Sequence, residues 1–291
     1  MALQIHPINL LNVTMDASGL VLFRQPGTIT TIPVLGFLIT GGEGPILVDT
    51  GARDMEQFTY YGFKGEQTAA MTIEHHLTQH GLRTTDLRYV VHTHAHIDHA
   101  GGTHLIPMSV PVAIARRELQ EAASGVMGSA MYTAADTKHL IDRLHTKNAM
   151  RLFDVDGTFE EEVIPGVAVR LTQGHTGGSI SVLVETDEGI ANICGDIVYD
   201  LYDQLIEPYL DRNYMEPTVT ANHSTTLLAE KTAVKRALAG SRFLLPSHDK
   251  PALVRGGKIV ALHEDAISNP KADVTAAANY TPLAVAEPIL A

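Results

Sequence analysis

Short apolar runs broken by turn-forming residues recur in both halves of the chain, with stretches of helical spacing between them. "IPVLGFLITGGEGPILVDTG" predicts two strands, Val34–Ile39 and Pro45–Val48, joined by a glycine-rich turn and ending at Asp49, Thr50 and Gly51. "TAAMTIEHHLTQHG" has helical spacing, with Met71, Ile73, His76 and Leu77 on one side and Gly81 as the stop. "LRYVV" is a short buried-type strand, "HAGGTHLI" starts a short helix, and "VPVAIA" is a further strand. From Arg116 to Met150 the pattern is helical but interrupted by glycine, methionine and small residues. "VAVRLTQG", "SISVLVET" and "GIANICGD" predict successive strands. "NHSTTLLAEKTAVKRALAG" predicts an amphipathic helix, with Leu227, Leu228, Ala233, Val234 and Leu238 toward a core and Lys231, Lys235 and Arg236 outward. "RFLLPSHD" is a last buried strand ending at a histidine, and the alanine- and proline-rich segment from Lys271 is expected to be loosely held. Strands in both halves with helices between and after them predict a layered α/β or α+β domain. No internal repeat and no linker divides the chain, so one domain over residues 1–291 is expected, with its core over about 32–249.

Composition narrows the functional classes. At 291 residues and 45% hydrophobic content the chain is long enough for a sizeable buried core. A net charge of −12 argues against general affinity for nucleic acid or anionic membrane surfaces. No apolar run approaches the roughly 20 residues that span a bilayer, and the first residues lack the pattern of a secretory signal. Cys194 is the single cysteine, which excludes an intrachain disulfide and fits a cytoplasmic protein. Tryptophan is absent and aromatic residues make up 5%, which weakens any reading as a stacking platform for bases or sugars. The unusual count is 15 histidines, the commonest metal ligands among side chains.

Four of them stand in "VVHTHAHIDHAGG", Val90–Gly102, where a predicted strand gives way to a loop. In an extended strand His94, His96 and Asp98 share a face while His99 points away, so all four converge only if the loop curls. Imidazole and carboxylate together suit zinc, manganese, iron or cobalt rather than calcium. Gly101 and Gly102 allow a bend and close packing just beyond. Three more candidates each follow an apolar strand and a small or turn-forming residue: His175 after "RLTQG", Asp196 after "ANICG" and His248 after "FLLPS". The remaining histidines, among them His75, His76, His80, His92, His104, His139, His145, His223 and His263, have no partners at such spacing and are expected to be structural.

"HTHAHIDHAGG" resembles the HxHxDH signature of the metallo-β-lactamase superfamily, and "LVDTG", "GHTGGS", "CGD" and "SHD" match its other motifs in order, from about Ile32 to Asp249. The resemblance implies an α/β fold, the αβ/βα sandwich, with a dinuclear metal site at the sheet edge. It assigns His94, His96 and His175 to one cation, Asp98, His99 and His248 to the other, and Asp196 to a bridge between them, with Asp49 orienting ligands. Two divalent cations, zinc first among them, about 3.5–4 Å apart would turn a bridging water into a hydroxide near neutral pH that attacks a carbonyl or phosphoryl centre.

Within the superfamily, diiron oxygen reductases carry glutamate where His96 stands, and classical β-lactamases lack the carboxylate that Asp196 supplies; Cys194, two residues earlier, reads as a small buried thiol. Ribonucleases of this fold need a basic surface that is missing. The chain is most similar to N-acyl homoserine lactonases, whose signature places a tyrosine three residues after the bridging aspartate, here Tyr199 in "GDIVYD". That similarity implies a lactone or related ester as the small-molecule substrate, with Asp98 and Tyr199 as catalytic residues, the phenol meeting the lactone carbonyl or the oxyanion. It is compatible with a homodimer. Met127, Met131 and Tyr132 are candidates to line an adaptable apolar pocket or to fill core. The rival reading is a thioesterase of the glyoxalase II type, with Lys250, Arg255 and Lys258 available but no glutathione motif. A regulatory metal-binding protein with a dead site is disfavoured by the full set of ligand positions.

Overall fold

The structure is a computed structural model describing residues 2–125, 131–208, 216–221 and 225–284. Two sheets stack face to face at its centre. The first holds β1 (Gln4–Asp16), β2 (Ile29–Thr40), β3 (Ile46–Val48), β4 (Lys64–Glu66), β5 (Tyr89–Val91), β6 (Val112–Ala115) and β7 (Met150–Phe153), in the order β4-β1-β2-β3-β5-β6-β7. The second holds β8 (Glu161–Ile164), β9 (Val167–Leu171), β10 (Ile180–Thr186), β11 (Gly189–Gly195), β12 (Phe243–Pro246), β13 (Ala252–Arg255), β14 (Lys258–Leu262) and β15 (Thr281–Pro282), ordered β15-β14-β13-β12-β11-β10-β9-β8. Leu35, Phe37, Ile39, Val48 and Val91 of the first sheet meet Val169, Val182, Ile193 and Leu245 of the second in one buried cluster. The helices are α1 (Glu56–Thr59), α2 (Ile73–Gln79), α3 (Ile97–Ala100), α4 (Arg116–Ser124), α5 (Ala134–Leu144) and α6 (Leu227–Ala239). Residues of α2, α4 and α5 cover the outer face of the first sheet, and α6 covers that of the second. The helix–sheet–sheet–helix layering follows from strands that are apolar on both faces.

Three sequence expectations need correction. The first is the start of the core, expected at about residue 32: β1, a 13-residue strand along β2, contributes Ile5, Ile8, Leu10 and Leu11 to it. It is buried on both sides over much of its length, so its apolar positions run together and period-two patterning is lost. The second is α6, where Leu227 and Leu228 are 49% and 76% exposed. Thr226 caps the helix, so these residues form its first turn, while the buried stripe runs through Glu230, Ala233, Val234 and Ala237. The third is the segment from Lys271: Val274 and Tyr280 are buried, the Tyr280 hydroxyl donates to the Val274 carbonyl, and β15 extends the second sheet. Met127, His223 and residues 285–291 lie outside the described residues. No helix among the described residues is long and apolar enough to cross a membrane.

Strands β3, β5, β6 and β7 run parallel to one another, as do β11 and β12, and the loops at their C-terminal ends gather at one edge of the sandwich. Open α/β sheets place their functional loops at such edges.

Candidate metal centre

After β5 the chain turns sharply into α3, and this corner carries His94, His96, Asp98 and His99. The curl demanded by the sequence is held from behind. A Cβ on Gly102 would lie 2.2 Å from the Thr50 carbonyl oxygen, and one on Gly101 would lie 2.5 Å from the Arg53 nitrogen. Both glycines therefore serve backbone contact; neither sits in the left-handed region. Gly195 does, at φ 58°, and that turn at the end of β11 delivers Asp196.

The seven sequence candidates come together. His94, His96 and His175 form one buried group; Asp98, His99 and His248 form a second; His94, His99 and Asp196 form a third that joins them, and within each the ligand-type atoms lie within 4.8 Å. Asp196 stands between the groups. Its Oδ2 is 3.6 Å from His175 Nε2, 3.8 Å from His94 Nε2 and 3.1 Å from His248 Nε2, and its Oδ1 is 3.2 Å from His99 Nε2. His96 Nδ1 and His175 Nε2 are 3.0 Å apart.

Neighbouring groups fix which ring nitrogen faces the cluster. Asp49, at the end of β3, accepts the Thr93 N–H at 2.9 Å and hydroxyl at 2.7 Å, and its Oδ2 lies 2.9 Å from His99 Nδ1. This leaves His99 Nε2 aimed inward. His248 Nδ1 lies 3.0 Å from the Pro33 carbonyl oxygen with the same consequence. His92 is buried outside the cluster, with Nε2 2.8 Å from the Thr103 hydroxyl. Cys194 packs with Ile197, Val198 and Ala233 beneath α6, where burial pushes its thiol up.

Electrostatics favour a cation. Burial and the surrounding imidazoles push His94 and His96 well down, which keeps them neutral and able to donate lone pairs. Burial would raise Asp196, yet His248, His99 and His94 hold its carboxyl well below the usual range. Among the described residues His94 Nε2 has no hydrogen-bond partner, and His99 Nε2 and Asp196 Oδ1 meet at 3.2 Å outside hydrogen-bond geometry. One such orphan costs about 1–3 kcal/mol. Three at a single point, all of metal-ligating type, fit borderline divalent cations.

Tyr199 follows β11 and stacks on His248 at 4.6 Å and 12° between ring planes, with its hydroxyl donating to Asp196 Oδ2 at 2.8 Å. Gln204 fixes this turn by accepting the Tyr199 and Asp200 N–H groups at 2.7 and 3.0 Å. A narrow cleft lined by Val13, Met15, Ile32, Phe58, Phe63 and Met131 opens onto Asp98, Tyr199 and His248. Sequence reasoning missed most of this wall, because the residues come from β1, β2 and the segment around α1 and carry no motif. Met131 both fills core and lines the cleft. Lys250 is paired with Glu264, and Arg255 and Lys258 are exposed at the β13–β14 hairpin; none of them lines this cleft.

A buried cluster of five histidines and two aspartates at one edge of an αβ/βα sandwich defines a metal-dependent hydrolase class, and the chain belongs to the metallo-beta-lactamase superfamily, whose profile matches residues 29–248. Over 187 residues it is 30% identical to an N-acyl homoserine lactonase of Bacillus cereus, covering 60% of this chain and 67% of that relative. An N-acyl homoserine lactonase of a Bacillus sp. is also 30% identical over 184 residues, with the same coverage. The fold matches a solved N-acyl homoserine lactone hydrolase with the product N-hexanoyl-L-homoserine at its catalytic metal center, at TM-score 0.66 and 22% identity over 86% of this chain and 94% of that one. A dizinc quorum-quenching lactonase in complex with a product shares the fold at TM-score 0.63 and 14% identity, over 88% and 92% of the two chains.

Proposed function

We propose that this protein is a dinuclear, zinc-dependent lactonase that opens the ring of N-acyl homoserine lactones. The observation that carries the reading is the junction of an apolar cleft with the cluster: Phe58, Phe63 and Met131 offer walls for an acyl chain that end at Asp98, Tyr199 and His248. In this reading His94, His96 and His175 would hold one cation and Asp98, His99 and His248 the other, with Asp196 placed between the two groups. Two bound cations supply Lewis acidity and lower the pKa of bound water.

The chain's own residues do the rest. The cleft takes the acyl chain, excludes water from it and brings the lactone carbonyl to the cluster. Tyr199 turns its hydroxyl from Asp196 and donates a hydrogen bond to the carbonyl oxygen as negative charge grows there. Water oxygen bonds to the carbonyl carbon as one of its protons passes to the Asp98 carboxylate on the cleft wall, the ring C–O bond breaks, and Asp98 returns that proton to the ring oxygen. The product is a hydroxy acid, ionised near neutral pH, so one proton is released per ring opened. The relatives named N-acyl homoserine lactonases support this substrate class.

The test is hydrolysis by zinc-loaded protein of an N-acyl homoserine lactone, a simple γ-lactone and a glutathione thioester. The acylated lactone should give the highest kcat/KM. Preference for the thioester would overturn the reading.

A further inference from the structure

The two arms that carry His94, His96 and His175 come from different sheets. His94 and His96 follow β5 in the first sheet, and His175 lies between β9 and β10 in the second. Three imidazoles can share one cation only if these arms keep a fixed distance. One side chain bonds to both. Glu118, in the first turn of α4 and 0% exposed, accepts the Ala95 N–H at 2.9 Å on Oε1 and the Thr176 hydroxyl at 2.6 Å on Oε2. Ala95 sits between His94 and His96, and Thr176 follows His175. Oε1 also accepts the Tyr132 hydroxyl at 2.7 Å, and the Tyr132 ring packs on His96 with centroids 4.9 Å apart.

The backbone reinforces the joint. A Cβ on Gly178 would lie 2.2 Å from the Glu118 nitrogen, so the His175 loop is seated directly on the start of α4. Glu121, one turn further on, accepts the Gly177 N–H at 3.0 Å. Glutamate in a fully buried helical position is costly unless its oxygens are satisfied. Here three donors converge on two oxygens, and every one leads to a residue beside a histidine of the cluster or against its ring. An apolar residue would serve packing at least as well, so the carboxylate is explained by what it holds.

We propose that Glu118 is a positioning residue that sets the spacing of the His94–His96 and His175 arms and thereby the affinity of that one cation site. The inference rests on the dinuclear reading above. Groups that orient metal ligands typically change affinity 10–100-fold when removed. The separation of effects is the informative part, because in the other group His99 is oriented by Asp49 and His248 by the Pro33 carbonyl, and the hydrogen bonds of Glu118 among the described residues run to Ala95, Thr176 and Tyr132.

The experiment is a chelator-competition titration of metal-free protein with zinc(II), together with the visible spectrum of the cobalt(II) form, for wild type, Glu118→Gln, Glu118→Ala and Tyr132→Phe. Unfolding of each metal-free protein is measured alongside. Wild type should bind two cations. Glu118→Ala should weaken one step about 10–100-fold and leave the other nearly unchanged, with altered cobalt bands. Glu118→Gln keeps an acceptor for Ala95 and Tyr132, and the Thr176 hydroxyl can turn to accept from the new amide, so it should recover much of the loss. Tyr132→Phe should weaken the same step by less than Glu118→Ala. If the alanine variant does not fold, the selective weakening must appear in the other two. Two unchanged steps in every folded variant, or both steps shifting equally in parallel with metal-free stability, overturns the positioning role and leaves the dinuclear reading standing. A wild type that binds no cation overturns both.

Discussion

Tyr199→Phe removes one oxygen from a ring that is otherwise fixed. The ring is 6% exposed and stacked on His248, so phenylalanine fills the same space. The lost hydroxyl donates at 2.8 Å to Asp196 Oδ2, which keeps His248 Nε2 at 3.1 Å. Removal of a single oxyanion donor costs about 2.7–4 kcal/mol in a protease where the donor is aimed permanently at the oxyanion. The phenol here has one hydroxyl hydrogen and donates it in a hydrogen bond to a carboxylate before the reaction, a bond worth about 1.5–3 kcal/mol. Its net advantage in the transition state is the difference, about 1–1.5 kcal/mol, or roughly tenfold in rate. The assay is proton release from an N-acyl homoserine lactone at varied concentration, with metal content measured on the same preparation. kcat should fall about tenfold while KM changes less and both cations stay bound. An unaltered kcat would refute the oxyanion role. Loss of metal together with activity would show that the hydroxyl matters through its hold on Asp196.

Other outcomes follow from the same geometry. His94→Ala and Asp196→Ala should lose metal and activity together in paired metal and rate measurements, since Asp196 lies within 3.1–3.8 Å of nitrogens in both groups. Asp98→Asn should keep the His94, His96 and His175 group intact and lose most turnover, as read by metal stoichiometry and kcat. Arg143 is 0% exposed, and its guanidinium donates to carbonyls of Val110, Thr103 and Ile106; Arg143→Met should cost about 1–3 kcal/mol in denaturant unfolding by stranding those carbonyls. Burial raises Glu230 from 4.5 to about 8, so its carboxyl favours the fold while neutral. That stability is present below the unfolded value and is lost as pH rises through about 8. Glu230→Gln should therefore gain on wild type by a few kcal/mol between pH 5 and pH 9, measured by unfolding at each pH.

The site was far more legible in the sequence than the scaffold around it. Metal chemistry restricts ligands to a few residue types, and a sheet edge restricts them to strand ends, so His175, Asp196 and His248 stood out after apolar runs. The long strand β1 left no comparable trace, because burial on both faces erases alternation. Leu227 and Leu228 misled for the opposite reason: they have the right spacing but precede the part of α6 that meets the sheet. Glu118 did leave a signal, a carboxylate beside Leu119 and Ala122 on the buried face of a helix. Its meaning depends on Ala95 and Thr176, which are far away in the chain and carry no motif. The cleft residues Val13, Ile32 and Phe58 are similarly dispersed, and only the fold gathers them.

The central claim is that two cations held by this cluster make the protein a lactonase. Metal-stripped protein titrated with zinc(II), with initial rates of N-acyl homoserine lactone opening recorded at each addition, tests it most directly. The rate should start near zero and reach its plateau at about two equivalents per chain, as expected for paired cations that share one reaction. Full activity in the stripped protein, or a plateau at one equivalent, would contradict the account.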